Sequence, residues 1–187
     1  MANRIFSDAT EDEDQKLISF IKKGAEAQFL EEEGTIEPAL FLEFESLTKE
    51  KPVLTIIPLH GNPLKQIGKL LGGPLEIAQE ASEGGKLIGA AFLSQTICFQ
   101  GDEDTPEEVM LLLLENKVKE IPKKYLTRAV FLIHYGSKGI TATSNDCRHN
   151  EDGKLIWGSW EILGGSEETI QGGPAIDFLK KIYNQFT

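Results

Sequence analysis

At 187 residues, with 40% hydrophobic and 26% charged side chains, the chain can bury one sizeable core and is too apolar to stay unfolded, so residues 1–187 are read as a single globular domain. Its 30 acidic against 19 basic residues give a formal net charge of -11, which repels nucleic acid and anionic membrane and excludes both as partners. No apolar run approaches the ~20 residues of a membrane span, the first residues carry no apolar signal core, and two cysteines are too few for a disulfide scaffold, so a reducing, cytoplasmic setting is expected.

Residues 1–10 are expected as a disordered tail. Thr10 and Glu13 have capping-box spacing, and Ile18, Ile21, Ala25 and Phe29 recur at helical intervals, with Leu17, Phe20 and Leu30 widening the stripe, which predicts a helix over residues 11–33 stopped by Gly34. Its acidic first turn also suits the positive end of the helix dipole. Two strands follow, 36–45 and 53–59, joined as a hairpin by the short polar segment 46–52. Asn62 and Pro63 suit a helix start, with Leu64, Ile67, Leu71, Leu75 and Ala78 on one stripe and a kink at Gly72-Gly73-Pro74. Residues 86–99 form a long strand, apolar on both faces around Leu87 to Leu93 and therefore central. Thr105-Pro106-Glu107-Glu108 supplies an N-cap, a first-turn proline and a capping-box glutamate, so residues 109–118 are expected as a buried helix.

Residues 129–135 repeat the two-faced apolar pattern and end in a turn at 136–139. Strands 140–149 and 154–163 are expected to pair about Asn150-Glu151-Asp152-Gly153, whose Asp-Gly step accommodates positive φ. A glycine-rich link then leads to a last helix from Pro174, with Ala175, Leu179, Ile182, Tyr183 and Phe186 along one side. The order predicts an α+β (or mixed α/β) fold: about six strands in one mixed, largely antiparallel sheet, with four to five helices packed on it.

No catalytic motif survives inspection. Tyr135-Gly136-Ser137-Lys138-Gly139 lacks the glycine two before the serine and the following helix of a nucleophile elbow. A calcium loop drawn through Gly153 would have Arg148 first and Ser159 last, without its strongest carboxylates. Ser19 and Lys22 lack the supporting elements of a serine-lysine enzyme, and no Walker loop or common zinc spacing occurs. No metal and no cofactor is expected, and nothing ties the chain to a known family.

The candidate pocket residues are His60, Asn62, His134, Cys147 and His149. His60 and Asn62 stand where a strand yields to a helix N-terminus, a place that can hold an anion; plain capping is the simpler account. Cys147 and His149 share one strand face, where a thiolate and an imidazole can bind metal or act as nucleophile and base; an exposed polar hairpin end is the simpler account. His134 closes an apolar strand and reads first as a core histidine. Trp157 and Trp160, three apart on one strand, are expected on opposite faces, one in the core and the other either at an interface or on a second buried face covered by a helix. These features favour a non-catalytic, acidic protein-binding or self-assembling module, with a protein partner or a homo-oligomer. The alternative is a small-molecule-binding domain or enzyme, a hydrolase or transferase, and it requires the five polar residues to converge.

Overall fold

The structure, a computed structural model, describes residues 13–46, 48, 51–60, 66, 73–81, 85–164 and 173–186. The tail and the helix start at Asn62 and Pro63 lie outside those residues. Helix α1 (Glu13–Glu31) buries Leu17, Ile18, Ile21, Ala25 and Phe29 along the expected stripe, but Phe20 and Leu30, expected to widen it, lie off the buried face and are exposed. It ends at Gly34, whose φ of +87 permits its N–H to return to the Phe29 carbonyl at 2.8 Å. Strands β1 (Ala39–Phe44) and β2 (Val53–Pro58) form the expected hairpin. Helix α2 (Gly73–Ala81) leads to β3 (Leu87–Phe99), and helix α3 (Glu107–Leu114) with two 3-10 turns, Val118–Glu120 and Lys123–Tyr125, leads to β4 (Leu126–Gly136). Then come β5 (Gly139–His149), β6 (Leu155–Ile156), β7 (Trp160–Gly164) and helix α4 (Pro174–Phe186).

The sheet order is β2-β1-β3-β4-β5-β6, with β7 also paired to β5. Every pairing among the described residues is antiparallel, so the expected mixed sheet gives way to an α+β antiparallel one. The reason is topological. The β2-to-β3 connection skips over β1, so those two strands run parallel without ever touching.

Antiparallel sheets often leave one face in water; this one covers both. Leu40, Leu42, Phe44, Ala90 and Phe92 face α2 and α4, meeting Leu75, Leu179 and Ile182. Residues of opposite parity, Ala39, Phe41, Ala91, Leu93, Val130 and Leu132, face α1. Two-sided burial explains why β3 and β4 read as continuous apolar runs rather than alternating ones.

Two expectations fail locally. The α3 helix is not buried: Val109 is covered, but Met110, Leu111 and Leu114 are 39%, 50% and 79% exposed. It lies in the connection beyond the ends of β3 and β4, and its buried Val109 belongs to neither core cluster. Nor does Thr105 cap it. The Thr105 hydroxyl accepts the Asp102 N–H at 2.7 Å and donates to Asp102 Oδ1 at 3.0 Å, closing the preceding loop instead.

The last expected strand is also broken, into β6 and β7. Between them Gly158 lies so close to the Asp146 carbonyl that a Cβ there would collide with it. The buried Asn145 side chain donates to the Gly158 carbonyl at 2.9 Å and accepts its N–H at 3.1 Å. A side chain thus stands in for a rung of the ladder, and the strand's alternation is lost. Trp157 and Trp160 consequently meet edge to face, ring centres 5.8 Å apart, instead of pointing to opposite faces. Trp157 packs on Phe29 at 5.0 Å, Lys22 Nζ sits 5.1 Å from the Trp160 ring, and both indoles cover the α1-side core.

Candidate functional site

The described candidate residues are dispersed. His60 is exposed beyond edge strand β2, its N–H donating to Gln66 Oε1 at 3.1 Å; Asn62 is outside the described residues. His134 stands opposite Thr141, whereas Cys147 stands opposite Arg128, six residues away along β4. At about 3.4 Å per residue that separates them by roughly 20 Å. Among the described residues no group of three or more His, Cys, Asp or Glu is placed to hold a metal.

Cys147 is sealed in the α1-side core, its Sγ 3.6 Å from Asn145 Oδ1. Burial pushes its thiol up, aided by the Asp146 carboxylate and opposed by the Gly158 backbone and the Arg128 guanidinium. A covered, protonated thiol is no nucleophile. His149, two residues on, is exposed. One strand face therefore holds both, but the chemistry proposed for the pair lacks access.

At one end of the sheet a polar cluster forms that the sequence reading missed in part. His134, 2% exposed, points from β4 toward α1, with Nε2 3.9 Å from Asp14 Oδ1. Asp14 Oδ2 accepts the Ser137 hydroxyl at 3.1 Å and the Lys138 N–H at 3.4 Å, tying the first turn of α1 to the β4–β5 turn. Glu43 of β1 completes the cluster, and two glycines paired across β3 and β4, Gly89 and Gly136, make room for it. A Cβ on Gly136 would collide with the Asp14 carboxylate and with His134; one on Gly89 would sit 3.3 Å from Glu43 Oε2 and 3.4 Å from His134 Nε2. The available signal was glycine inside two otherwise apolar strands, which marks close approach, and a lone carboxylate within Leu40-Phe41-Leu42-Glu43-Phe44. The arrangement sets a buried imidazole and a carboxylate side by side, at a separation longer than a direct hydrogen bond. With His134 and Asp14 both buried, it acts as a latch between α1 and the sheet.

The opposite end is open. His149 lines three adjoining clefts of about 610, 470 and 410 Å³. The largest lies between the loop after β3, the turn before β4 and the end of β5, and brings Asp102 and Asp104 near Lys124 and Arg148. The second includes Glu33, Lys123 and Arg128. The Arg128 guanidinium is already committed there: it donates to the Gly34 carbonyl, which Gln95 Nε2 also reaches at 2.9 Å, and so satisfies the end of α1. The third is walled by Trp157, Ser159 and Glu161. A separate apolar groove of about 280 Å³ runs between α1 and the β1–β2 hairpin, past Phe20, Phe41 and Ile56. No helix among the described residues is long and apolar enough to cross a membrane. Compared with known proteins, the chain matches no family model, no curated protein and no solved structure.

Proposed function

We propose that this chain is a non-catalytic protein-binding module whose contact surface is the outer face of α3. The observation that carries this reading is the exposed stripe Met110, Leu111 and Leu114 on one side of a short helix. Burying side chains of this kind yields about 1.5–3 kcal/mol each, enough for a compact contact to matter. The segment leading into the helix carries Asp102, Glu103, Asp104, Glu107 and Glu108 with no intervening base. The complementary partner is a protein with an apolar groove bordered by Lys and Arg. Self-assembly through the same face is disfavoured, because it would bring two acidic segments of a protein with net charge -11 together.

The dispersion of His60, His134 and His149 supports this reading over an enzyme built on one pocket. Free Cys98 and Cys147 suit the reducing, cytoplasmic setting that belongs to the proposal. The test uses the full chain as bait beside a Leu111→Ser/Leu114→Ser variant, followed by direct titration of any retained protein. The expected result is a basic partner whose binding weakens with salt and is lost in the variant. A partner that binds both equally, or a monomer by light scattering that retains nothing, overturns it. A dimer abolished by the variant would replace the partner with a second copy.

A further inference from the structure

We propose that the cleft of about 610 Å³ at the open end of the sheet is a binding site for a small zwitterion, with a dipeptide as the fitting size class. Asp102 and Asp104 belong both to this cleft and to the acidic segment leading into α3, but the cleft does not require a partner on the α3 face. Its walls carry opposite charge. Asp102 and Asp104 come from the loop after β3; Arg148 and His149 come from the end of β5; Lys124 stands between them, immediately before β4. Because β4 separates β3 from β5, the roots of the acidic and basic walls are two strand spacings apart, about 10 Å.

Neither charge set neutralises the other. Among the described residues, no carboxylate of this cleft lies within 4.0 Å of its cations as an ion pair. Two of the heads are held by their surroundings. Lys124 Nζ lies 4.7 Å over the Tyr125 ring, and Asp102 Oδ1 accepts the Thr105 hydroxyl at 3.0 Å. A lone anion in this cleft would meet two carboxylates, and a lone cation would meet Lys124 and Arg148. A molecule bearing an ammonium at one end and a carboxylate at the other satisfies both walls, with charge-assisted hydrogen bonds at each. Thr127 and Gln100 add polar lining between them.

The test is a titration of the isotopically labelled full chain with glycylglycine, with acetate and ethylammonium as the two half-ligands, followed by amide shifts. Glycylglycine is expected to shift Gln100, Thr127 and Arg148 and to bind more tightly than either half-ligand. Asp104→Asn and Arg148→Gln are each expected to weaken it about tenfold, with core amides such as Leu40 unmoved to show an intact fold. Asp104→Asn should leave acetate binding undiminished, and Arg148→Gln should do the same for ethylammonium. No shift at those amides with millimolar glycylglycine overturns the proposal. So does acetate binding as tightly as the dipeptide, which would mean a simple anion site, or dipeptide affinity unchanged in both variants.

Discussion

The two ends of the β3–β4–β5 meander use the same residue types to opposite ends. At the closed end His134, Asp14 and Glu43 meet under α1, in a slot that Gly89 and Gly136 keep open. At the other end His149, Asp102, Asp104 and Arg148 stand around open clefts. A buried histidine between carboxylates looks more like an active centre than an exposed one does, yet it is the exposed histidine that a ligand can reach. Depth, rather than residue identity, separates a latch from a site. Burial makes the closed end expensive to disturb, because any group left without its partner there has no water to turn to.

The largest effects should therefore come from the closed end. Gly136→Ala forces a methyl into the Asp14 carboxylate and His134, and should lower unfolding free energy by about 3 kcal/mol, read by urea denaturation. A loss below about 1 kcal/mol would mean that α1 can lift away cheaply and that the latch is loose. Next in size, Asn145→Ala removes both bonds to Gly158 and should cost about 2 kcal/mol. It should also red-shift the emission of Trp157 and Trp160, since the clamp sets the break that stacks them. Unchanged emission would show that Phe29 alone positions the indoles.

How far the sequence foretold this comparison depends on how local each signal was. The α1 stripe, the two-faced runs of β3 and β4, the turn before Gly139 (φ +90) and the Gly153 turn (φ +75) rest on neighbouring residues, and all formed. The latch was only half legible. His134 stands out at the end of an apolar strand, but Asp14 lies in an acidic first turn that the helix dipole already accounts for, and nothing local says that β1, β4 and α1 bring these two together with Glu43. The apolar run Val109 to Leu114 shows the converse limit: composition can nominate a residue for burial but cannot supply the element that would cover it. Trp157 and Trp160 were misassigned for a third reason, a side-chain clamp from Asn145 that strand alternation cannot anticipate.

Cys147 and His149 put the contrast on a single strand, two residues apart, one sealed and one in solvent. The thiols of Cys147 and Cys98 and the phenol of Tyr183 are all raised, in each case first by burial. Above the ordinary thiol value of 9.0 the unfolded chain loses protons that the folded chain keeps, so unfolding becomes more favourable as pH rises. Their stabilising contribution should hold below that value and fade as pH climbs through the raised folded values. The urea midpoint is the readout, and a midpoint that does not fall on the alkaline side of the ordinary thiol value would contradict the burial of these groups.

The smallest expected effect is the sharpest discriminator. His149→Ala should change unfolding free energy by less than about 0.5 kcal/mol, because an exposed side chain leaves no cavity and no stranded partner. His134→Ala should cost about 2–3 kcal/mol, since it opens a cavity and removes the imidazole between Asp14 and Glu43. Both variants delete the same group from the same sheet, so intrinsic histidine chemistry cancels between them and the difference reports depth alone. Equal losses would mean that the end of β5 is as tightly built as the latch, and the clefts around His149 would then be seams of the fold rather than openings in it.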